Sequence, residues 1–312
     1  MTEKSKIFMG IDVSKNTLDI SMNNIHCKIK NTDKAISDFI KSEIASRNIV
    51  LTVLESTGGY ERLVMRMLQQ AGLAVHRAHP NRVHAFAKVC NHFAKTDKLD
   101  ALLLEKYAAF IANDEKGDQI ISVIQEELQS LRSIERNIEE DIHANQCRTK
   151  VASEKAKKYL EEMIKCGKKQ LEEIRKDIKA AIKEDKSLKA KNDLLISYKG
   201  IGEKTASVLL IELLELGVLS NKEIASLVGL APKTSQSGQK TNGAHIRGGR
   251  FFVRKSLYMA ALVAMRHNDK MKALYERMTN AGKKAKVALV AVMRKVIICL
   301  NSMVKNNKIY EY

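Results

Sequence analysis

Apolar and polar positions change period along the chain, and each change marks an element. Ile7-Phe8-Met9-Gly10-Ile11-Asp12-Val13 is a nearly continuous apolar run, the pattern of a strand buried on both faces. After a turn at Ser14–Asn16, Thr17–Met22 and His26–Lys30 read as the next two strands of a meander. Thr32-Asp33 caps an amphipathic helix with Ile36, Phe39, Ile40 and Ile44 on one face. Ile49–Glu55 is a second apolar strand, ending in an acid. Gly58-Gly59 turns into a helix near Tyr60–Ala71, and Leu73–Arg77 returns as a short strand. Strands alternating with helices predict an α/β layer fold over residues 1–113, with a helix from Asp97 to about Ile111 closing it.

The period then becomes purely helical. Ile124, Leu128, Leu131 and Ile138, then Leu160, Ile164, Leu171, Ile174 and Ile178, recur at three-four spacing within Ile121–Ile142 and Leu160–Ile182. The stripe is narrow and its flanks carry mixed charge, which predicts a coiled coil or long helical hairpin over 114–192, with a turn between 142 and 160. Such an arm suits dimerisation; a purely intramolecular hairpin is the alternative. Residues 193–312 form a third, mainly helical segment. In it, Tyr198-Lys199-Gly200-Ile201-Gly202-Glu203-Lys204 joins two helices as a helix-hairpin-helix. Further helices are expected at Lys222–Val228, Phe251–Arg266 and Ala285–Val304, with a loop from Ala231 to Arg250.

Composition narrows the class. Two prolines and 5% aromatic residues in 312 favour long helices and exclude an all-β sandwich. No apolar run reaches 18 residues, so no membrane-spanning helix and no membrane partner are expected. The polar Met1–Lys6 does not resemble a signal peptide. Cys27, Cys90, Cys147, Cys166 and Cys299 are odd in number and widely spaced, as suits free thiols in a reducing cytoplasm.

Charge changes the picture most. The net charge is +18, yet 114–192 is nearly neutral, with eighteen basic and seventeen acidic residues. Leu230–Ile309 holds seventeen Lys and Arg against Asp269 and Glu276. A surface of one sign and this size calls for a polyanion, and nucleic acid is the default partner. Candidate phosphate contacts are Lys199, Gly200, Gly202 and Lys204 in the helix-hairpin-helix, where glycine lets backbone N–H groups approach a phosphate. Arg247, Arg250, Arg254 and Lys255 add to them around the basic loop.

Four acids suit metal binding. Asp12 sits in the first strand and Glu55 ends the other strongly apolar one, where an acid without a task is costly. Asp97 and Asp100 share one helix face at i,i+3. Strand-end carboxylates opposite a helix-borne pair offer the oxygen ligands that Mg²⁺ prefers, or Mn²⁺ in its place. In the basic loop, Ser237 before Gly238 is a candidate nucleophile whose target phosphate the neighbouring guanidinium groups would stabilise. His76, His79, His84, Cys90 and His92 do not follow a zinc-ligand spacing.

Taken in order, Gly10–Lys15, Glu55–Tyr60, Lys95–Ala101, Gly200-Ile201-Gly202 with Thr205-Ala206, Leu227–Pro232, Ser237-Gly238, Gly248-Gly249-Arg250 and Leu257–Ala261 carry a resemblance, closed by Gly282-Lys283 and Met293-Arg294-Lys295. Together they resemble the DEDD-type transposases of bacterial insertion sequences, the insertion-sequence-110 group, and the related pilin-gene-inverting invertases. The resemblance implies an RNase H-like (Holliday-junction-resolvase-like) N-terminal domain, a coiled coil and a C-terminal transposase domain. It assigns Asp12, Glu55, Asp97 and Asp100 to the metal-binding tetrad, and Ser237 to a nucleophile that forms a transient phosphoserine link to DNA. It further implies donor and target double-stranded DNA, an element-encoded guide RNA, a homodimer or homotetramer, and a cytoplasmic, nucleoid-associated bacterial protein. Where the family usually has Gly-Lys-Arg after the serine, this chain reads Gly243-Ala244-His245. The same residues leave three alternatives: an invertase, a junction-resolving nuclease with a water nucleophile, and a structural nucleic-acid-binding protein.

Overall fold

The apolar run at the start of the chain becomes β1 (Ile7–Val13), the middle strand of a five-stranded sheet ordered β3-β2-β1-β4-β5. A computed structural model describes residues 6–90, 96–114, 117–118, 120–237 and 240–311, and over 234–244 the backbone alone. The chain divides into two compact units, Met1–Ile121 and Ser122–Tyr312.

In the first unit, β1, β2 (Thr17–Met22) and β3 (Ile25–Lys30) form an antiparallel meander. β4 (Ile49–Glu55) and β5 (Val75–Ala78) continue parallel from the other side of β1. Strand alternation sends Ile7, Met9, Ile11 and Val13 into a core with α1 (Asp33–Phe39) and α2 (Arg62–Gln70). Helix α1 runs on through one π-helical turn, Ile40–Ile44, which buries Ile44. The opposite face packs Leu51 and Val53 against α3 (Pro80–Val89) and α4 (Asp97–Ile111). Gly10 belongs to that second face and has no room for a side chain: a Cβ there would lie 2.2 Å from both Ala101 O and Glu105 N. Its missing Cβ is what lets α4 lie directly on β1. Glu105 then reaches over the sheet and accepts hydrogen bonds from Ser21 Oγ (2.5 Å) and Asn24 N (3.2 Å). This fixes α4 to the β2–β3 turn, where Asn23 and Asn24 take the left-handed conformation that Asn tolerates.

The second unit begins with α5 (Val123–Thr149) and α6 (Glu154–Glu184), which are longer than the stripe alone predicts. They are antiparallel, since Glu135 meets Arg175 while Ile142 packs on Gly167 further toward the turn. Leu128, Ile178 and Ile182 bury their side chains in the same core as the C-terminal helices. Charge pairs stitch the flanks: buried Arg132 pairs with buried Glu135 and with Glu212 (3.1 Å), and Arg175 pairs with Glu135 (2.9 Å) and Glu139 (2.6 Å). The core is completed by α7 (Lys186–Ile196), α8 (Glu203–Glu212), α9 (Asn221–Leu227), α10 (Phe251–His267), α11 (Asp269–Asn280) and α12 (Ala285–Asn306). Among the described residues, α12 alone is long and apolar enough to cross a membrane, but Leu289, Val292, Met293, Val296, Ile297 and Leu300 on it are core residues.

The region expected as a loop from Ala231 to Arg250 contains a hairpin, β6 (Pro232–Ser237) with β7 (Lys240–Ile246). Its sequence is polar apart from Ala244 and the core-packed Ile246, so no alternation of apolar residues announces it. Gly238, His92 and Lys95 lie outside the described residues.

Candidate active site

The register of the sheet brings the first-unit acids to one place. Asp12 lies on the same face of β1 as Gly10, beneath α4, and Glu55 has the same parity on β4 as Leu51 and Val53, which pack under α3 and α4. The parallel pairing ends at Ile11 opposite Leu54, so Asp12 and Glu55 are the next residues on the two adjacent strands. Asp97 and Asp100 stand in the first turn of α4, whose N-terminus Thr96 caps by accepting from Leu99 N (3.3 Å). Acids are favoured at that end of a helix by its dipole. The electrostatics record the convergence. Burial first, then the charges of Asp100, Asp97, Asp19 and Glu55, push the Asp12 carboxyl up to about 6. All the other members of the quartet therefore act on Asp12. Among the described residues, no three His, Cys, Asp or Glu side chains stand at metal-ligand distance, so the quartet gathers electrostatically without closing into a coordination shell.

Sequence reasoning missed residues that hold this arrangement. Asp19 is Cα-paired with Asp12 across β1 and β2, is buried, and bonds to His26 Nε2 and Lys28 Nζ, each at 2.9 Å. The signal was present: like Asp12, it is an acid inside an apolar strand, Leu18-Asp19-Ile20. Glu61 is buried and accepts from Gly59 N (2.8 Å), Thr57 N (3.2 Å) and Arg77 Nη1 (3.4 Å), fixing the loop that follows Glu55. Burial alone would raise its carboxyl, but these backbone amides outweigh it and hold the group below the usual carboxylate range. Asn31 Nδ2 donates to Ser14 O and Tyr60 O, both at 3.1 Å, and so ties the loops after β1 and β4 together. Two of the clustered histidines have structural partners: His76 Nδ1 meets Asp118 Oδ1 at 2.9 Å, and His79 caps α3.

In the second unit, Ser237 is the last residue of β6, Cα-paired with Lys240 at the tip of the hairpin. The base of that hairpin is locked. Gly229 and Gly249 are both left-handed and in such close contact that a Cβ on Gly249 would come 2.3 Å from Gly229 N. Arg250 clamps Glu215 with two hydrogen bonds (2.5 and 2.6 Å) and donates to Glu212 O (2.6 Å). Arg254 donates to Val228 O (3.0 Å) and Gly248 O (2.6 Å). Lys204 likewise pairs with Glu139 at 2.5 Å. Lys199, Arg247 and Lys255 are exposed. Gly200 is left-handed and packed against α10, where a Cβ would meet Ala260 O at 2.8 Å, whereas Gly202 at the start of α8 faces open space.

Acids gathered where an α/β sheet meets α4 in one unit, and a basic helical unit that carries a serine hairpin, are features that suit a nucleic-acid-processing enzyme. Comparison with known proteins makes this specific. Residues 9–156 match the IS110-type DEDD transposase model, described as a transposase, and residues 192–276 match the model described as "Transposase IS116/IS110/IS902 family". The chain is 26% identical over 321 residues to the pilin gene-inverting proteins of Moraxella lacunata and Moraxella bovis, covering 98% of each chain. It is 31% identical over 120 residues to the insertion element IS110 43.6 kDa protein of Streptomyces coelicolor, covering 38% of this chain and 30% of that one. The chain belongs to the IS110 family of transposases and is a DNA transposase or recombinase.

Proposed function

We propose that this enzyme cuts and rejoins DNA at defined sites, with Ser237 as nucleophile and Asp12, Glu55, Asp97 and Asp100 as holders of Mg²⁺ or Mn²⁺. The observation that carries the reading is the placement of Asp12 and Glu55 as neighbours at the ends of two adjacent strands, on the face covered by α4, whose first turn holds Asp97 and Asp100. Two strand-borne and two helix-borne like charges gathered at one end of the sheet are costly without a cation, and an all-carboxylate donor set matches a hard divalent ion. When bound, that ion would supply Lewis-acid stabilisation of charge on the scissile phosphate. The Ser237 hydroxyl oxygen attacks phosphorus and forms a P–O ester, while the P–O bond to one deoxyribose oxygen breaks. The serine proton goes to solvent, and the departing oxygen takes up a proton. The ester keeps the energy of the broken bond, so attack by a new strand's hydroxyl rejoins DNA and frees the serine. The locked hairpin base, with Arg250 and Arg254 held by intrachain acceptors, fixes where the serine hairpin starts. Exposed Lys199, Arg247 and Lys255 and the open backbone at Gly202 suit direct phosphate contact.

The strand order β3-β2-β1-β4-β5, with an antiparallel meander followed by parallel strands, supports the RNase H-like assignment of the first unit. The α5–α6 arm suits a coiled-coil contact in a homodimer or homotetramer, and an element-encoded guide RNA would choose donor and target. A second reading is favoured by the end-to-end likeness to the pilin gene-inverting proteins: inversion of one defined segment. In a recombination assay with covalent-adduct trapping, Ser237→Ala should abolish adduct and product, and Asp12→Ala should abolish product. Full activity of either variant would sink this mechanism. Cleavage by Ser237→Ala without an adduct would indicate a water nucleophile instead.

A further inference from the structure

The acid quartet has a cation of its own. Across the antiparallel meander, Asp12 on β1, Asp19 on β2 and Lys28 on β3 are Cα-paired in one row, so all three project from the same face of the sheet. That is the face on which α4 lies, and the row ends against the first turn of α4. Lys28 Nζ bonds Asp19 Oδ2 at 2.9 Å and Asp97 Oδ2 at 3.4 Å. The two ends of this bridge differ. Asp19 is 5% exposed and its other oxygen is held by His26, whereas Asp97 is 65% exposed and its bond is the longer one. The ammonium is thus anchored on a buried carboxylate and only leans on a carboxylate that belongs to the quartet.

We infer that Lys28 is a built-in competitor of the divalent ion: it occupies Asp97 while the metal is away and releases it, staying on Asp19, when the metal binds. A Lys ammonium is a compact point charge on a flexible stem, well suited to a movable counter-ion. Its presence relieves repulsion in the empty quartet and lowers the quartet's affinity for a divalent ion. The site then fills tightly only when a DNA phosphate adds its own negative charge. Asp19 is a positioning residue here, acting through Lys28.

This inference rests on the quartet binding a divalent ion, and its test separates the two claims. Mn²⁺ would be titrated into the DNA-free full chain and free ion followed by electron paramagnetic resonance. Lys28→Gln should bind Mn²⁺ roughly three- to tenfold more tightly than wild type, the scale of one unit charge several Å from the ion. The gap should narrow as ionic strength rises. Lys28→Met should behave as Lys28→Gln, and Lys28→Arg should stay near wild type because the charge remains. Thermal melts of each variant check that the fold is kept. Unchanged or weaker binding by the folded neutral variants overturns the inference. If Asp12→Asn abolishes Mn²⁺ binding at the same time, the quartet reading survives alone. If Asp12→Asn binds Mn²⁺ like wild type, or no form binds it, both fall.

Discussion

Asp12 shows how a single residue records its surroundings. Its carboxyl sits near 6 rather than 3.8, chiefly through burial and then through Asp100, Asp97, Asp19 and Glu55. A raised carboxylate pKa means the native state binds more protons than the unfolded chain between about pH 4 and pH 6. Stability of the first unit therefore falls as pH rises through that window and stays lower above it. Asp12→Asn, which is neutral at every pH, should melt higher than wild type at pH 7.5 without divalent ions. For a half-buried carboxyl the gain is roughly 1–2 kcal/mol after discounting for solvent screening. The gain should vanish near pH 4, and adding Mg²⁺ should stabilise wild type but not the variant. Calorimetry across pH checks this, and an equal gain at pH 4 and 7.5 would remove the electrostatic explanation. The sequence identified Asp12 and Glu55 because an acid in an apolar strand is conspicuous. It did not yield Glu61 or Asn31, whose importance lies in hydrogen bonds to loop backbone, a relation that residue type does not encode.

At the scale of elements, helix α4 and strand β1 are the pair on which the proposed site depends. Gly10 reads in the sequence as an unremarkable break in an apolar run, yet it sets the distance between α4 and the sheet. With Gly10→Ala, a Cβ would lie 2.2 Å from two backbone atoms of α4, so the helix must lift or tilt. The expected cost is at least about 3 kcal/mol, at the upper end of overpacking effects, because backbone rather than a flexible side chain must yield. Asp97 and Asp100 ride on the same helix, so Mn²⁺ affinity should fall with stability. Gly202→Ala is the control: no atom lies within 4 Å of its Cβ, and less than about 1 kcal/mol is expected. Thermal melts and Mn²⁺ titration decide, and a wild-type-like Gly10→Ala would remove close packing as the reason for glycine. Elements with apolar period were legible: α4 runs over Asp97–Ile111 as its spacing predicts, and α12 starts at Ala285. The β6–β7 hairpin was not. Pro232-Lys233-Thr234-Ser235-Gln236-Ser237 carries no apolar alternation in its sequence, and the described contacts lie at the hairpin's base, where Ile246 packs on the core and the glycines and arginines lock the backbone.

For the whole molecule the division of charge decides which unit grips a polyanion. Leu230–Ile309 carries seventeen basic and two acidic residues, while the acid quartet lies in the other compact unit. Affinity for DNA in the absence of divalent ions should therefore depend on salt chiefly through the second unit. Each phosphate contact contributes about 0.9 to the slope of log K against log salt. Of the basic residues picked out by sequence, Lys204, Arg250 and Arg254 are already engaged by Glu139, Glu215 and backbone carbonyls, so their charge is partly spent inside the fold. Arg247 and Lys255 are exposed and adjoin the hairpin and its lock. The full-length double variant Arg247→Gln/Lys255→Gln should thus lower the magnitude of the slope by roughly 1–2 and weaken binding to all sequences alike. Asp12→Asn should leave the slope as it is without Mg²⁺, because it removes no cation from the grip. Fluorescence anisotropy on one duplex at several salt concentrations measures both. A double variant with the wild-type slope would move the polyanion grip away from the serine hairpin, and with it the reason for placing the proposed nucleophile in the most basic part of the chain.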